Sequence, residues 1–244
     1  MCAQGPAGVN DSLRSLCESV VRRPQRVERP ICSTAMNPTF TLLHIDDALL
    51  VVDKPAGLLA VPGRGPAGAD NLVGRVQQQY PDALTVHRLD MSTSGLMLLA
   101  RGIEAQRALG RAFEQRRVHK RYEAVVDGLP GEESGSISAP LAADWPRRPR
   151  QKVDTEHGKP SLTHWQVLHR DDHGKRTRLR LEPVTGRTHQ LRVHLMSIGH
   201  AIVGDELYGP DATPSGRLLL HACELCFEHP ADGSSCRFIS LAPF

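Results

Sequence analysis

His87-Arg88-Leu89-Asp90-Met91-Ser92-Thr93-Ser94-Gly95 runs without a break into Leu96-Met97-Leu98-Leu99-Ala100. A continuous apolar run of this length, bounded by turn residues, reads as a buried strand. The carboxylate of Asp90 stands at its mouth, two residues after an arginine and just before a small, hydroxyl-rich turn closed by Gly95. A charge beside a core is costly unless it is paired. Asp90 is therefore a functional candidate on residue types alone.

Outward from this stretch, Thr41-Leu42-Leu43-His44-Ile45 and Ala48-Leu49-Leu50-Val51-Val52 are short apolar runs split by Asp46-Asp47, the pattern of a hairpin. Lys54-Pro55-Ala56-Gly57 and Pro62-Gly63-Arg64-Gly65-Pro66 are turns. Asn71 is placed to cap a helix through about Tyr80, stopped by Pro81. A second helix is predicted from about 103 to 117, with Ile103, Leu109, Ala112 and Phe113 on its apolar side. Arg121–Val126 reads as a strand, 130–160 shows little periodicity, and strands resume at 162–169 and 176–182. The last of these alternates cleanly, with Thr177, Leu179 and Leu181 on one face and Arg176, Arg178, Arg180 and Glu182 on the other. Thr185-Gly186-Arg187-Thr188 turns into a helix with Leu191, Leu195 and Ile198 inside, ended by Gly199, and a final strand spans roughly 217–228. Strands dominate and helices intervene irregularly. The predicted fold is α+β, with a mixed, largely antiparallel central sheet flanked by helices.

The chain has 244 residues, enough to bury a core without covalent staples, and a formal net charge of +3. So mild a charge means that binding of a polyanion has to come from local clusters. Aromatic residues make up 4% of the chain, which argues against extended base-stacking platforms. Residues 1–38 form an N-terminal extension. Its stretch Arg22–Pro30 lacks hydrophobic periodicity and reads as disordered, and Met36 is a plausible internal start. The extension has no apolar core segment of a secretory signal, and no run approaches membrane-spanning length. The expected setting is cytoplasmic, with no membrane partner and the six cysteines as free thiols.

Four constellations carry possible chemistry. Asp90 with an arginine partner such as Arg192 would be held ionised and available as a nucleophile or base. The alternative is a buried Asp–Arg bridge that only ties two segments. The segment Thr185-Gly186-Arg187-Thr188-His189-Gln190-Leu191-Arg192 packs polar and basic groups at a helix start, where phosphate is attracted. An ordinary polar cap is the alternative. Asp144-Trp145-Pro146-Arg147-Arg148-Pro149-Arg150-Gln151-Lys152 reads either as a basic arm for a nucleic-acid backbone or as a solvated loop. His221, Cys223, Cys226 and His229 invite a zinc reading, but a strand would turn Cys223 and Cys226 to opposite faces, and a second ligand pair is missing. Neither Ser92 nor Ser94 sits in a nucleophile elbow, and Gly63-Arg64-Gly65 lacks the rest of a nucleotide fingerprint.

His87-Arg88-Leu89-Asp90 with Thr93-Ser94-Gly95 resembles the catalytic signature of the RluA-type pseudouridine synthases. Lys120-Arg121-Tyr122-Glu123-Ala124 is similar to the family's second motif, Thr185–Leu195 to its third, and Arg217–Ala222 with Leu241-Ala242-Pro243 to its closing strand and tail. The resemblance covers 39–244 and implies one catalytic domain there, without the S4 RNA-binding domain of larger relatives. It implies isomerisation of uridine to pseudouridine by a monomer that uses no metal or cofactor. The RNA partners it implies are a 23S rRNA stem-loop and the tRNA anticodon stem-loop. Asp90 would begin breaking the N-glycosidic bond, Tyr122 would lie against the flipped base, Arg192 would pair with Asp90, and Arg88 would fill the space vacated in the RNA. His87, Arg187, Thr188, His189 and Gln190 are the further RNA contacts expected near the carboxylate, with Arg147, Arg148 and Arg150 on the basic loop.

Overall fold

The computed structural model describes residues 40–171, 173, 175–210 and 216–244. The N-terminal extension and Met36 lie outside the described residues. The strands are β1 (Thr41–Ile45), β2 (Leu49–Lys54), β3 (Ala83–Thr85), β4 (Ser94–Arg101), β5 (His119–Asp127), β6 (Ser134–Ser138), β7 (Leu141–Ala143), β8 (Gln151–Val153), β9 (Leu162–Asp171), β10 (Arg176–Pro183), β11 (Leu220–Glu228) and β12 (Ser235–Ile239). Three α-helices are described, α1 (Leu72–Gln77), α2 (Ile103–Glu114) and α3 (Gln190–Ser197).

Ten strands form one sheet in the order β1-β2-β4-β11-β5-β10-β9-β6, with β12 on β11 and β3 on β4; β7 and β8 pair separately. Every pairing in that sheet is antiparallel except β4 with β11, where His221 lies opposite Ser94 and Ala222 opposite Gly95. The fold is α+β, with a mixed, mostly antiparallel central sheet.

The apolar patterns follow from position in the sheet. β4 is buried from Ser94 through Ala100 because both of its faces are covered. On one face Leu96, Leu98 and Ala100 pack with Leu109 and Ala112 of α2 and with Phe227 and Phe238. On the other, Met97 and Leu99 pack with Leu72, Val73 and Val76 of α1. β10 is covered on one side only, so Thr177, Leu179 and Leu181 are buried and alternate with less buried neighbours. Leu179 and Leu181 form a third core with Trp165 and with Leu191 and Leu195 of α3.

Gly95 allows the parallel pairing. It has φ +112°, and a Cβ there would lie 2.3 Å from the carbonyl oxygen of Ala222. The turn that carries Asp90 is thereby pressed against β11. Asn71 caps α1 as expected, its side chain accepting from Gly74 N–H at 2.8 Å.

Several expectations are corrected. Ile103 and Ile198 are 51% and 39% exposed and lie outside the apolar faces assigned to them. In α3 the inward side is broader than a hydrophobic stripe, since Arg192, Val193 and His194 are buried as well. The stretch 130–160 contains the short strands β6, β7 and β8. Their three to five residues are too few for a period to register. β12 is a further strand beyond the predicted ones, and its alternation is limited to Cys236 and Phe238. Cys223 and Cys236 are free thiols, as expected.

Candidate active site

A cavity of about 620 Å³ lies against the turn before β4, the end of α2, β5, the loop after β10 and the start of α3. It brings together His87, Arg88, Asp90, Tyr122, Arg187, His189, Gln190 and Arg192, which are spread over more than one hundred residues of sequence. Thr188 is exposed on the neighbouring loop and does not line the cavity. Arg147, Arg148 and Arg150 also lie outside the lining, beside the β7–β8 pair.

The Asp90 turn is pinned from two sides. Thr93 N–H donates to the Asp90 carbonyl at 3.1 Å, and Gly57 N–H donates to the Met91 carbonyl at 2.9 Å. Lys54, fully buried at the end of β2, donates its ammonium to the carbonyls of Pro55 (2.8 Å), Leu58 (2.7 Å) and Met91 (3.0 Å). All three of its donors are thus used to tie the 54–58 turn to the Asp90 turn. Burial pushes the Lys54 pKa down to about 8, while Asp90 and Asp53 act to raise it. The group stays charged at neutral pH. Sequence reading registered this segment only as a turn.

Arg192 Nη1 stands 3.5 Å from Asp90 Oδ2, the pairing that the resemblance implied. Its closest carboxylate, however, is Asp205. Nε and Nη2 of Arg192 each reach one oxygen of Asp205 at 2.7 Å, a two-pronged contact between side chains 5% and 0% exposed. Asp205 is itself braced by the N–H groups of Leu207 (3.0 Å) and Tyr208 (3.1 Å). Burial works to lower the Arg192 pKa, but Asp205 and then Asp90 outweigh it and hold the guanidinium charged. The guanidinium is therefore fixed by Asp205 and presents its remaining nitrogen to Asp90. Asp205 escaped the sequence reading. The Gly204-Asp205-Glu206-Leu207-Tyr208-Gly209 run has the look of a local turn, in which an Asp side chain accepts from N–H groups two and three residues on.

His189 occupies the left-handed region at φ 54° at the N-cap of α3. Its Nε2 is 4.0 Å from Asp90 Oδ2. Gln151 N–H donates to the Tyr208 phenol oxygen at 2.7 Å, which leaves the phenol hydrogen for His189 Nδ1, also at 2.7 Å. That assignment puts the imidazole hydrogen on Nε2, facing Asp90. Burial is the main cause of the lowered His189 pKa, and it keeps the ring neutral. Tyr208 is a second functional neighbour that the sequence reading missed.

Tyr122 lines the same cavity, its hydroxyl pKa raised by burial and then by the Asp90 charge, so it stays a neutral phenol. Arg88 is exposed at the cavity edge. His87 accepts from Leu98 N–H at 2.9 Å and stacks on Phe113 with ring centroids 4.6 Å apart. Burial, then Lys120, pushes its pKa down to about 3. Its ring is wall rather than cation. Gln190 is only 4% exposed, and its amide is consumed by Thr185, Arg187, Leu162 and Thr163 at 2.7–3.0 Å. It braces the loop that carries Arg187 and His189. Among the described residues, no three His, Cys, Asp or Glu side chains are grouped so as to hold a metal ion, and no helix is long and apolar enough to cross a membrane.

Asp90 thus sits in a network with Arg192, Asp205 and Lys54, beside a neutral phenol and imidazole, while the cavity lining itself is predominantly basic, with Arg88, Arg116, Lys120, Arg187 and Arg192 against Asp90 and Glu114. The profile of the RNA pseudouridylate synthase family matches residues 48–197, a segment that contains Asp90, Tyr122 and Arg192. The chain belongs to the RNA pseudouridylate synthase family. It is an isomerase that modifies RNA. Among curated relatives, the dual-specificity RNA pseudouridine synthase RluA of Vibrio vulnificus is 52% identical over 199 residues, covering 80% of each chain. The protein of the same description from Escherichia coli K12 is 46% identical over 209 residues, 85% of this chain and 95% of the relative. Among solved structures, human RNA pseudouridylate synthase domain containing 1 superposes with a TM-score of 0.71 at 29% identity, covering 87% of both chains. In this synthase the Asp205 brace lies outside the matched segment, eight residues beyond its end.

Proposed function

We propose that the synthase converts uridine to pseudouridine in a 23S rRNA stem-loop and in the tRNA anticodon stem-loop, with Asp90 as the catalytic carboxylate. The observation that carries this reading is the 3.5 Å approach of Arg192 to Asp90 inside a cavity also lined by Tyr122 and Arg88. The named specificity of the curated relatives supports two RNA targets.

The reaction breaks the bond from the ribose C1′ to N1 and makes one from C1′ to C5. The proton lost from C5 is balanced by one gained at N1, so no electrons are exchanged and no cofactor is required. A uridine in a stem-loop is stacked, and extruding it costs a few kcal/mol. Arg88, exposed at the cavity edge, is suited to fill the gap because a guanidinium plane stacks on bases. The flipped uracil would then rest beside the neutral Tyr122 phenol, with Asp90 kept ionised by Arg192.

Outside the cavity, Arg148 lies 3.4 Å over the Trp145 ring and Arg147 pairs with Asp144 at 2.8 Å, which supports the β7–β8 loop as a preformed basic arm for RNA backbone. The synthase acts as a monomer in the cytoplasm in this reading.

Mapping pseudouridines in rRNA and tRNA from a deletion strain tests it. The expected result is loss of modification in one 23S stem-loop and in the anticodon loop of a tRNA subset. Unchanged pseudouridine at all such positions contradicts the reading, as does purified enzyme that binds both RNAs and converts neither.

A further inference from the structure

The cavity continues past the catalytic carboxylate. Its far wall is the end of α2 and the start of β5, with Phe113, Glu114, Arg116 and Lys120. A second, water-sized cleft of about 30 Å³ shares Arg116 and Lys120 with that wall and continues to His119, His164 and Glu182. The two hollows meet at these two cations.

Among the described residues, neither side chain has an ion pair or hydrogen bond, and the contact of the Lys120 ammonium is with the Phe113 ring, 5.9 Å from its centroid. Of the nearby acids, Glu182 is committed to Arg121 at 2.8 Å, and Glu114 is solvent-exposed. Burial, and then Arg116, lowers the Lys120 pKa.

The backbone holds Arg116 in place at some cost. Arg117 N–H reaches the Ala112 carbonyl at 2.8 Å and Arg116 N–H reaches Phe113 at 3.1 Å, the bond pair of a Schellman cap. Glycine is the usual residue at the position Arg116 fills, and Arg116 adopts it with φ 59°. An exposed cation in a strained cap position, beside the half-buried Lys120, both lining a hollow, is an arrangement suited to an anion.

We propose that Arg116 and Lys120 form a second subsite of the synthase, one that holds a phosphodiester of a nucleotide flanking the target uridine. The RNA strand leaves the catalytic cavity across the wall formed by Arg116 and Lys120. This assignment rests on the cavity being the uridine site, and a phosphate is favoured over a base because the subsite offers two unpaired cations.

The test uses full-length enzyme and anticodon stem-loop RNAs in which single linkages near the target are neutral methylphosphonates. Two variants are compared with wild type, Lys120→Met and Arg116→Gly, the latter also relieving the backbone. Each should weaken binding of unmodified RNA by about tenfold, the scale of one charge-assisted contact. Each should also lower the slope of log Kd against log salt by about 0.7. One methylphosphonate linkage should weaken wild-type binding equally and have no further effect on either variant. Variants that bind like wild type overturn the subsite, as does a variant penalty that persists unchanged on every methylphosphonate RNA. Tritium release from C5-labelled uridine by the wild type is read in parallel. Absence of release defeats the uridine-site reading, whereas normal release with no variant effect defeats the subsite alone.

Discussion

Asp90 owes its setting to residues that never touch it. Arg192 reaches it at 3.5 Å, but Asp205 grips the guanidinium with both oxygens at 2.7 Å. The Asp90–Arg192 pairing is therefore preorganised, since the arginine does not need Asp90 to hold its position. Asp205→Asn keeps the shape and removes the charge. Breaking a buried pair costs on the order of 3–5 kcal/mol. We predict a lower denaturant midpoint together with a turnover loss of about tenfold or more, as Arg192 loses its bearing. Equal midpoint and equal turnover would show that Arg192 holds itself. The second residue-scale prediction concerns His87. Its folded pKa of about 3 lies below the ordinary value of 6.5, so the unfolded chain binds a proton that the fold excludes. Stability from this group is full above about pH 6.5 and declines as the pH falls from there towards 3. Histidine NMR should find the His87 ring neutral at pH 5; a ring that titrates near 6.5 contradicts the buried wall position.

At the scale of elements, the β7–β8 pair is linked to the site by its own backbone. Gln151 N–H at the start of β8 bonds the Tyr208 phenol, whose hydrogen goes to His189, and His189 faces Asp90. Arg147, Arg148 and Arg150 sit on the loop that this strand closes. Replacing all three with alanine should weaken RNA binding and reduce the salt slope by as much as about 2.7, because each lost phosphate contact removes about 0.7–0.9. An unaltered slope removes the loop from the RNA surface. This scale also shows what was legible in the chain. The two-sided burial of β4 and the one-sided burial of β10 wrote themselves as a continuous run and as an alternation, and both strands were found. β3, β6, β7, β8 and β12 were missed because strands of three to five residues carry little pattern and these lack the flanking apolar run that exposed β1. α3 was found, but its buried polar side was not, because Arg192 and His194 are inside by virtue of partners on other segments. Asp90 stood out because its cost was visible next to an apolar run. Asp205, Lys54 and Tyr208 gave no such signal, since their roles depend on contacts 13 to 57 residues away in sequence.

Across the whole molecule, the sheet works as one frame. β11 pairs with β4 through His221 and Ala222 and with β5 opposite Tyr122, so the strands that carry the Asp90 turn and Tyr122 flank a common neighbour. Gly95 permits that close approach, and the three cores lock it from both faces. Burial also lowers the pKa of His194 and His221, in the same direction as His87. Global stability should therefore fall between pH 7 and pH 5, read as a lower urea midpoint at pH 5; a midpoint that rises across that interval contradicts neutral burial of these rings. Tritium release from C5-labelled uridine in an anticodon stem-loop, compared between wild type and Asp90→Asn, tests the proposed role of Asp90 most directly. We predict release and pseudouridine formation by the wild type, and no detectable turnover by the variant with RNA affinity retained. Turnover of Asp90→Asn at the wild-type rate would contradict it.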